Sequence, residues 1–386
     1  MLKKWYILFV LASVFSVSTV SAQDDSRPIK IFGYFQNSYE HQTTSDAGTR
    51  RGSFSLQQLN LFFQKDLSDN WRAFVSFEFV NSFASQNMWG DASLEEAWVR
   101  YRLNYRFNLK LGLQIPIFNN FNEIKNRTPL LPYVVRPLMY ETSFNEIVDV
   151  SIGVPYRTFV QVYGFLPLGN AKFDYAMHLG NSPNINSNIT QGITGRDTTT
   201  SFLVGGRIGL RIGELKLGVS GTYDRTNEFT ALGEQKPSLV RTDSSYMQLD
   251  RGRFGADLSF RHGPLSWESE IILIDYENPR PNVGTDATFA YGTLGVQATD
   301  RLLVYATGWL SHFNGVVAFP DQIVISLIAE ETDASIDVAS IGAAYHINDR
   351  LVIKGQFAEV EVSGDSGKGE YRSAFEYFAT AVSVWF

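Results

Sequence analysis

The chain has 386 residues, a net charge of −7 and no cysteine. The charge argues against nucleic acid as a partner, and the missing thiols exclude disulfides, a thiolate metal site and a lipidated cysteine. Aromatic residues make up 14% of the chain, yet its mean hydropathy is slightly negative, a pairing that fits an apolar outside around a wet inside.

The chain opens with Lys3 and Lys4, an uncharged apolar run from Trp5 to Val17, and the small residues Val20-Ser21-Ala22. This order predicts a signal peptide over 1–22, cut before Gln23. No other apolar run reaches the ~20 residues of a spanning helix. The stretch 23–386 carries no linker or charge block and is expected to form one unit.

From Ile29 onward the regular signal is alternation with period two. Phe107, Leu109, Leu111, Leu113 and Ile115 alternate with Asn108, Lys110, Gly112, Gln114 and Pro116. Phe202, Val204, Gly206 and Ile208 alternate with Leu203, Gly205, Arg207 and Gly209, and Phe254, Ala256 and Leu258 with Arg253, Asp257 and Ser259. Such spacings scatter around a helix but align on one face of a strand. Short breaks at Asp66–Asn70, Leu103–Arg106, Pro167–Asn170, Gly213-Glu214, His262–Pro264, Thr299–Arg301 and Ile347–Arg350 take turns with long polar segments. The fold class this predicts is all-β: a transmembrane antiparallel β-barrel of about 16 strands, with short periplasmic turns and long external loops. In the last strand Phe378, Thr380, Val382, Val384 and Phe386 share one face. A terminal aromatic on an amphipathic closing strand looks like the signal that barrel-assembly machinery reads, which makes that machinery an expected partner through Phe386.

A barrel of ~16 strands encloses an aqueous channel unless something narrows it. The longest break, 118–156, is the expected constriction loop. Leu130, Leu131, Val134, Val135, Leu138 and Met139 could pack it on the inner wall, and Pro129, Pro132 and Pro137 would stiffen it. On the lumen side the alternation places Arg72, Arg100, Arg102, Lys110, Lys172, Arg207, Arg211, Lys216, Arg253, Arg261 and Lys354, against Glu78, Glu96, Asp174, Asp257, Glu268, Glu270 and Glu361. Rings or rows of charge in a narrow zone set selectivity. The residues expected to do so are Arg100, Arg102, Lys110, Glu123, Lys125, Arg127 and Arg136.

The segment Leu94-Glu95-Glu96-Ala97-Trp98-Val99-Arg100-Tyr101, followed by Leu109-Lys110-Leu111-Gly112-Leu113-Gln114-Ile115-Pro116-Ile117-Phe118, resembles the phosphate-selective porins O and P. Ile117 intervenes between Pro116 and Phe118, and Asn119 stands where that family has Gly. The resemblance implies a porin whose second motif strand leads into the constriction loop. Lys125, Arg127 and Arg136 are dispersed there rather than clustered as a dedicated phosphate channel would have them.

Enzyme chemistry finds no motif. His41, His178, His262, His312 and His346 form no metal-binding spacing and have no Gly-x-Ser-x-Gly partner, so each is expected at a loop or rim. No cofactor and no catalytic residue are expected. The reading is a passive outer-membrane channel for small hydrophilic solutes, anion-preferring, in a homotrimer like general porins of this strand count. The alternative is a structural or adhesive outer-membrane barrel without conductance.

Overall fold

The computed structural model describes residues 27–44, 50–81, 91–140, 153–182, 201–226, 249–277, 285–314, 332–366 and 370–386. The expected signal peptide over 1–22, Gln23, and the loop acids Glu141, Glu146 and Asp149 lie outside them. Sixteen strands follow in order: β1 (Lys30–Thr44), β2 (Arg50–Asp66), β3 (Trp71–Asn81), β4 (Asp91–Arg102), β5 (Asn108–Gln114), β6 (Thr158–Leu168), β7 (Ala171–Asn181) and β8 (Phe202–Ile212) form the first half. The second half is β9 (Leu215–Thr226), β10 (Leu249–His262), β11 (Leu265–Glu277), β12 (Thr285–Thr299), β13 (Leu302–Asn314), β14 (Thr332–Asn348), β15 (Leu351–Ser366) and β16 (Glu370–Trp385). Every strand pairs antiparallel with its sequence neighbours, and β16 returns to β1, so the sheet closes. The seam runs from Tyr34↔Trp385 to Thr44↔Phe375. Phe386 extends it by exchanging both backbone hydrogen bonds with Gly33, at 3.1 and 3.0 Å. Closure leaves no unpaired edge, which a sheet in hydrocarbon requires.

Three of the seven tight turns use glycine to free the backbone. Gly169, Gly213 and Gly263 open the connections after β6, β8 and β10 with φ of +60, +59 and +56°, a region that costs other residues energy. The expected short breaks all fall at this end of the barrel, which the loop-length rule makes periplasmic.

Leu111, Val204, Ile208, Val219, Phe254, Leu273, Leu310, Ile341, Phe357, Phe378 and Val382 point outward and are exposed. In water such a surface would be untenable; against lipid it is the stabilising one. Trp71, Tyr101, Tyr105, Phe260, Trp267 and Tyr345 gather near the periplasmic turns as an interfacial girdle.

The wall is uneven. β14, β15, β16 and β2 have 16 or 17 residues, whereas β3, β6, β7 and β8 have 11; a tilted membrane strand needs ~9–11. Beyond the apolar band, the outward faces of the long strands carry Asp337, Glu359, Glu361 and Glu376. Arg372 meets Glu361 there at 2.6 Å. The sequence-based placement of Glu361 in the lumen is therefore corrected: Lys354, Gln356, Ala358 and Val360 take the buried parity of β15, and Glu361 takes the other.

The inward faces of β11–β16 carry a large apolar cluster among a few polar side chains, contrary to the expectation of a wet interior. Ile272, Ile274, Phe289, Tyr305, Trp309, Phe313, Ile336, Val338 and Val360 are buried there in one cluster. Their cover is the loop after β5.

Candidate functional site

The loop begins where β5 breaks. Gly112 has φ +118°, and a Cβ on it would run into the backbone of Ala97. Pairing with β6 slips between Leu111 and Gln114. The strand thus ends after seven residues, and Ile115 and Pro116 turn inward, as a bulge next to a site does. Asn119 then adopts φ +49°, a left-handed conformation that Asn tolerates better than most residues. Asn122 donates to Pro116 O at 2.9 Å and Pro155 O at 3.1 Å, tying the two stems of the loop together. Two short 3₁₀ turns, Thr128–Leu130 and Leu138–Tyr140, follow. Pro129 sits inside the first and Pro137 immediately before the second.

Between the stems the described part of the loop packs on the inner wall of the barrel. Phe118, Phe121, Val134, Val135, Leu138, Met139 and Tyr140 are buried with the apolar wall of β11–β16. The ring of Phe121 lies 4.8 Å from that of Tyr140 and 6.0 Å from that of Tyr291. Burying a side chain of this size is worth roughly 1.5–3 kcal/mol, so seven of them make the docked loop the stable arrangement. Of the six apolar residues named from sequence, Leu130 alone is well exposed.

Wall residues satisfy the polar backbone that docking would otherwise strand. Glu270 of β11 accepts from Asn120 N at 2.9 Å and Phe121 N at 2.8 Å, and also from Tyr140 Oη. Gln356 of β15 accepts from Val134 N at 3.0 Å and Val135 N at 2.8 Å. Tyr34 of β1 donates to Asn126 O at 3.0 Å, Gln57 of β2 to Val134 O at 2.9 Å, and Tyr133 to Thr293 of β12 at 3.0 Å. Glu270 and Gln356 stand five residues beyond the periplasmic starts of their strands. That is about 17 Å along a strand, or near the middle of a ~25 Å apolar band after tilt.

The remaining inner wall is charged. Arg72, Arg100 and Lys110 lie directly opposite one another on β3, β4 and β5. Arg72 donates to Asp66 at 2.6 Å. Lys110 Nζ is 3.7 Å from Glu123 of the loop and sits over the rings of Trp98 and Tyr163, at 4.9 and 5.5 Å. Trp98 in turn stacks on Phe74, and Phe74 on Phe62, at 4.9 and 5.6 Å, so an aromatic ladder fixes the ammonium. Like charges placed directly opposite repel; among the described residues only Asp66 and Glu123 form ion pairs with this row. At mid-depth Arg207 joins Asp174 and Asp257 at 2.5 and 2.7 Å, and toward the outer end Asp224 lies 2.8 Å from both Arg251 and Arg253.

Of the seven residues expected to set selectivity, Lys110 and Glu123 meet across the gap between wall and loop, and Arg100 stands beside them. Among the described loop residues Arg127 is an exposed charge and Glu123 is half-buried, its side chain 38% accessible. Arg102 is exposed at the periplasmic turn, below the narrow zone. Lys125 and Arg136 are buried instead of lining water. Lys125 is 1% accessible, 5.0 Å from the face of Tyr156, and burial pushes its ammonium down to about 7. Arg136 donates to Lys125 O inside the loop. A bulge opposite Ser76/Phe77 turns both Glu95 and Glu96 inward, where sequence alternation placed only Glu96. Glu95 accepts from Asn126 at 2.7 Å. His178, expected at a loop or rim, is instead buried on β7. No group of three or more His, Cys, Asp or Glu fit for a metal ion occurs among the described residues.

No protein-family model and no curated protein matches the sequence. Solved structures do match its fold. An anion-selective porin from Comamonas acidovorans aligns over 93% of this chain and 100% of its own, with a TM-score of 0.59 at 13% identity. OmpT, an outer membrane protein of Vibrio cholerae, aligns over 95% and 99% with a TM-score of 0.59 at 10% identity. The outer membrane channel DcaP of Acinetobacter baumannii aligns over 94% and 99% with a TM-score of 0.57 at 12% identity. The chain therefore has the fold of porin-type barrels, and with its apolar exterior it is a multi-pass β-barrel of the outer membrane.

Proposed function

We propose that the protein is a passive channel for small hydrophilic solutes, with a preference for anions. The observation that carries this reading is the loop folded into the lumen at mid-depth. It packs its apolar side on β11–β16 and leaves charged side chains on the opposite wall. Arg72, Arg100 and Lys110 outnumber the two carboxylates that contact them, which favours an oxyanion such as a carboxylate or phosphate group. The anion-selective porin among the similar folds supports the same sign. Arg100, Lys110, Glu123 and Arg127 are the selectivity residues in this proposal, and the assembly is a homotrimer, the form in which one OmpT structure was solved. Phe386, sealed against Gly33, is the proposed mark read by barrel-assembly machinery.

One observation favours a second reading. The loop hydrogen-bonds to strands on opposite sides of the lumen, β9 through Ser220 and β1 through Tyr34 among them, as a plug in a non-conducting structural barrel would. Planar-bilayer recording decides between them. Stepwise openings with an anion-biased reversal potential in a salt gradient support the channel. A cation-biased reversal overturns the anion preference, and silence from folded, heat-modifiable protein leaves the structural barrel.

A further inference from the structure

Lys354 has the parity of a lumen charge, yet it is 2% accessible. Its ammonium donates to Thr128 O at 2.8 Å, Pro129 O at 3.2 Å and Tyr133 O at 3.3 Å in the loop, and to Gln36 Oε1 of β1 at 2.8 Å. The three loop oxygens belong to the first 3₁₀ turn and the residues just after it. Pro129 lies in this stretch, and Thr128 O also takes the N–H of Leu131 at 3.0 Å. Gln36 Oε1 is held in turn by Ser383 Oγ at 2.6 Å. The cation is therefore ringed by oxygens from three parts of the chain: the loop, β1 and, through Ser383, β16.

We propose that Lys354 is a positioning residue for the constriction: it clasps the 128–133 turn against the seam of the barrel and so sets the width of the passage without lining it. The inference rests on the channel reading above. A long flexible side chain is suited to this place because an ammonium has three donors and no acceptor, and the groups it gathers are all acceptors. Gln356, two residues on and on the same face of β15, captures Val134 and Val135. One strand thereby holds the turn from both ends. Glu270, four strands away on β11, holds the near half of the loop.

The test is Lys354→Met, which keeps the length and removes the donors. Single-channel conductance is expected to rise, with noisier open levels. Tryptic cleavage after Lys125 or Arg127 is expected to quicken about tenfold or more, because charge-assisted bonds to buried acceptors are among the stronger ones. The reversal potential is expected to stay where it was, since Lys354 faces no water. Lys354→Arg, which keeps a cationic donor, should restore much of the protection. Unchanged conductance and cleavage in Lys354→Met would overturn the clasp, as would a shift of reversal potential toward cations. If Lys354→Met fails to reach the heat-modifiable form, Lys354→Gln and Gln356→Leu are read the same way. Cleavage does not depend on conduction. Silence of the unmodified protein in bilayers would count against the channel, while cleavage would still decide the clasp.

Discussion

Arg100 lies between Arg72 and Lys110 in the register of β3, β4 and β5, and replacing it with glutamate tests the proposed selectivity most directly. Three cations against the two contacting carboxylates, Asp66 and Glu123, leave this row one positive charge; Arg100→Glu makes it one negative. Directly opposite side chains on paired strands are ~5 Å apart. At that distance one unit charge acts on a passing ion with about 0.8 kcal/mol in water and about 3 kcal/mol at an effective dielectric of ~20. Taking the watery limit, the two units cost an anion about 1.6 kcal/mol and favour a cation by about as much, together about 3.2 kcal/mol or roughly two hundredfold in the anion-to-cation permeability ratio. Screening at ~0.1 M salt, with a Debye length of ~10 Å, trims this only in part. The reversal potential in a KCl gradient reads the ratio. It should move from the anion side toward the cation side, with Arg100→Gln in between. A ratio unchanged in folded Arg100→Glu protein would mean that this wall does not border the ion path.

Other substitutions probe the loop and its frame. Burial holds the Lys125 ammonium near 7, below its unfolded value of ~10.4. The undocked loop then binds the extra proton between these two limits, so docking should tighten as pH rises from about 7 toward 10 and be weakest below 7. Open-channel noise should therefore fall across that window, and Lys125→Met should flatten the profile. Gly112→Ala forces a side chain into the Ala97 backbone at φ +118°. A cost of about 1–3 kcal/mol is expected, seen as a lower temperature of heat modification. Asp224→Asn removes a fully buried carboxylate that Arg251 and Arg253 both hold at 2.8 Å. A loss of about 3 kcal/mol or more in urea unfolding is expected, and an unshifted midpoint would show that other partners suffice.

The sequence by itself determined the barrel. Period-two alternation and the rhythm of short and long breaks are local facts of the chain, and a closed sheet in lipid must obey them, since every backbone group needs a partner. The sixteen strands, the periplasmic turns, the outward face ending at Phe386 and the loop after β5 were legible for that reason. The inward fold of that loop was legible from its buried-type residues Val134, Val135, Leu138 and Met139.

The tertiary structure alone decided which charges border water. Lys110 and Lys354 share the inward parity, yet one faces Glu123 across the gap and the other is sealed beneath the loop. Nothing within either strand distinguishes them; the difference is whether a segment more than two hundred residues away covers the site. The same holds for Lys125 and Arg136, which fold under the loop that carries them. Glu95 was missed because a bulge shifts the parity by one residue, and alternation has no sign of its own for a bulge. The apolar inner wall of β11–β16 reads as ordinary alternation with its faces exchanged. Only the loop packed on it shows which face is inside, because a hydrophobic surface is stabilised by whatever removes it from water, whether lipid or its own chain.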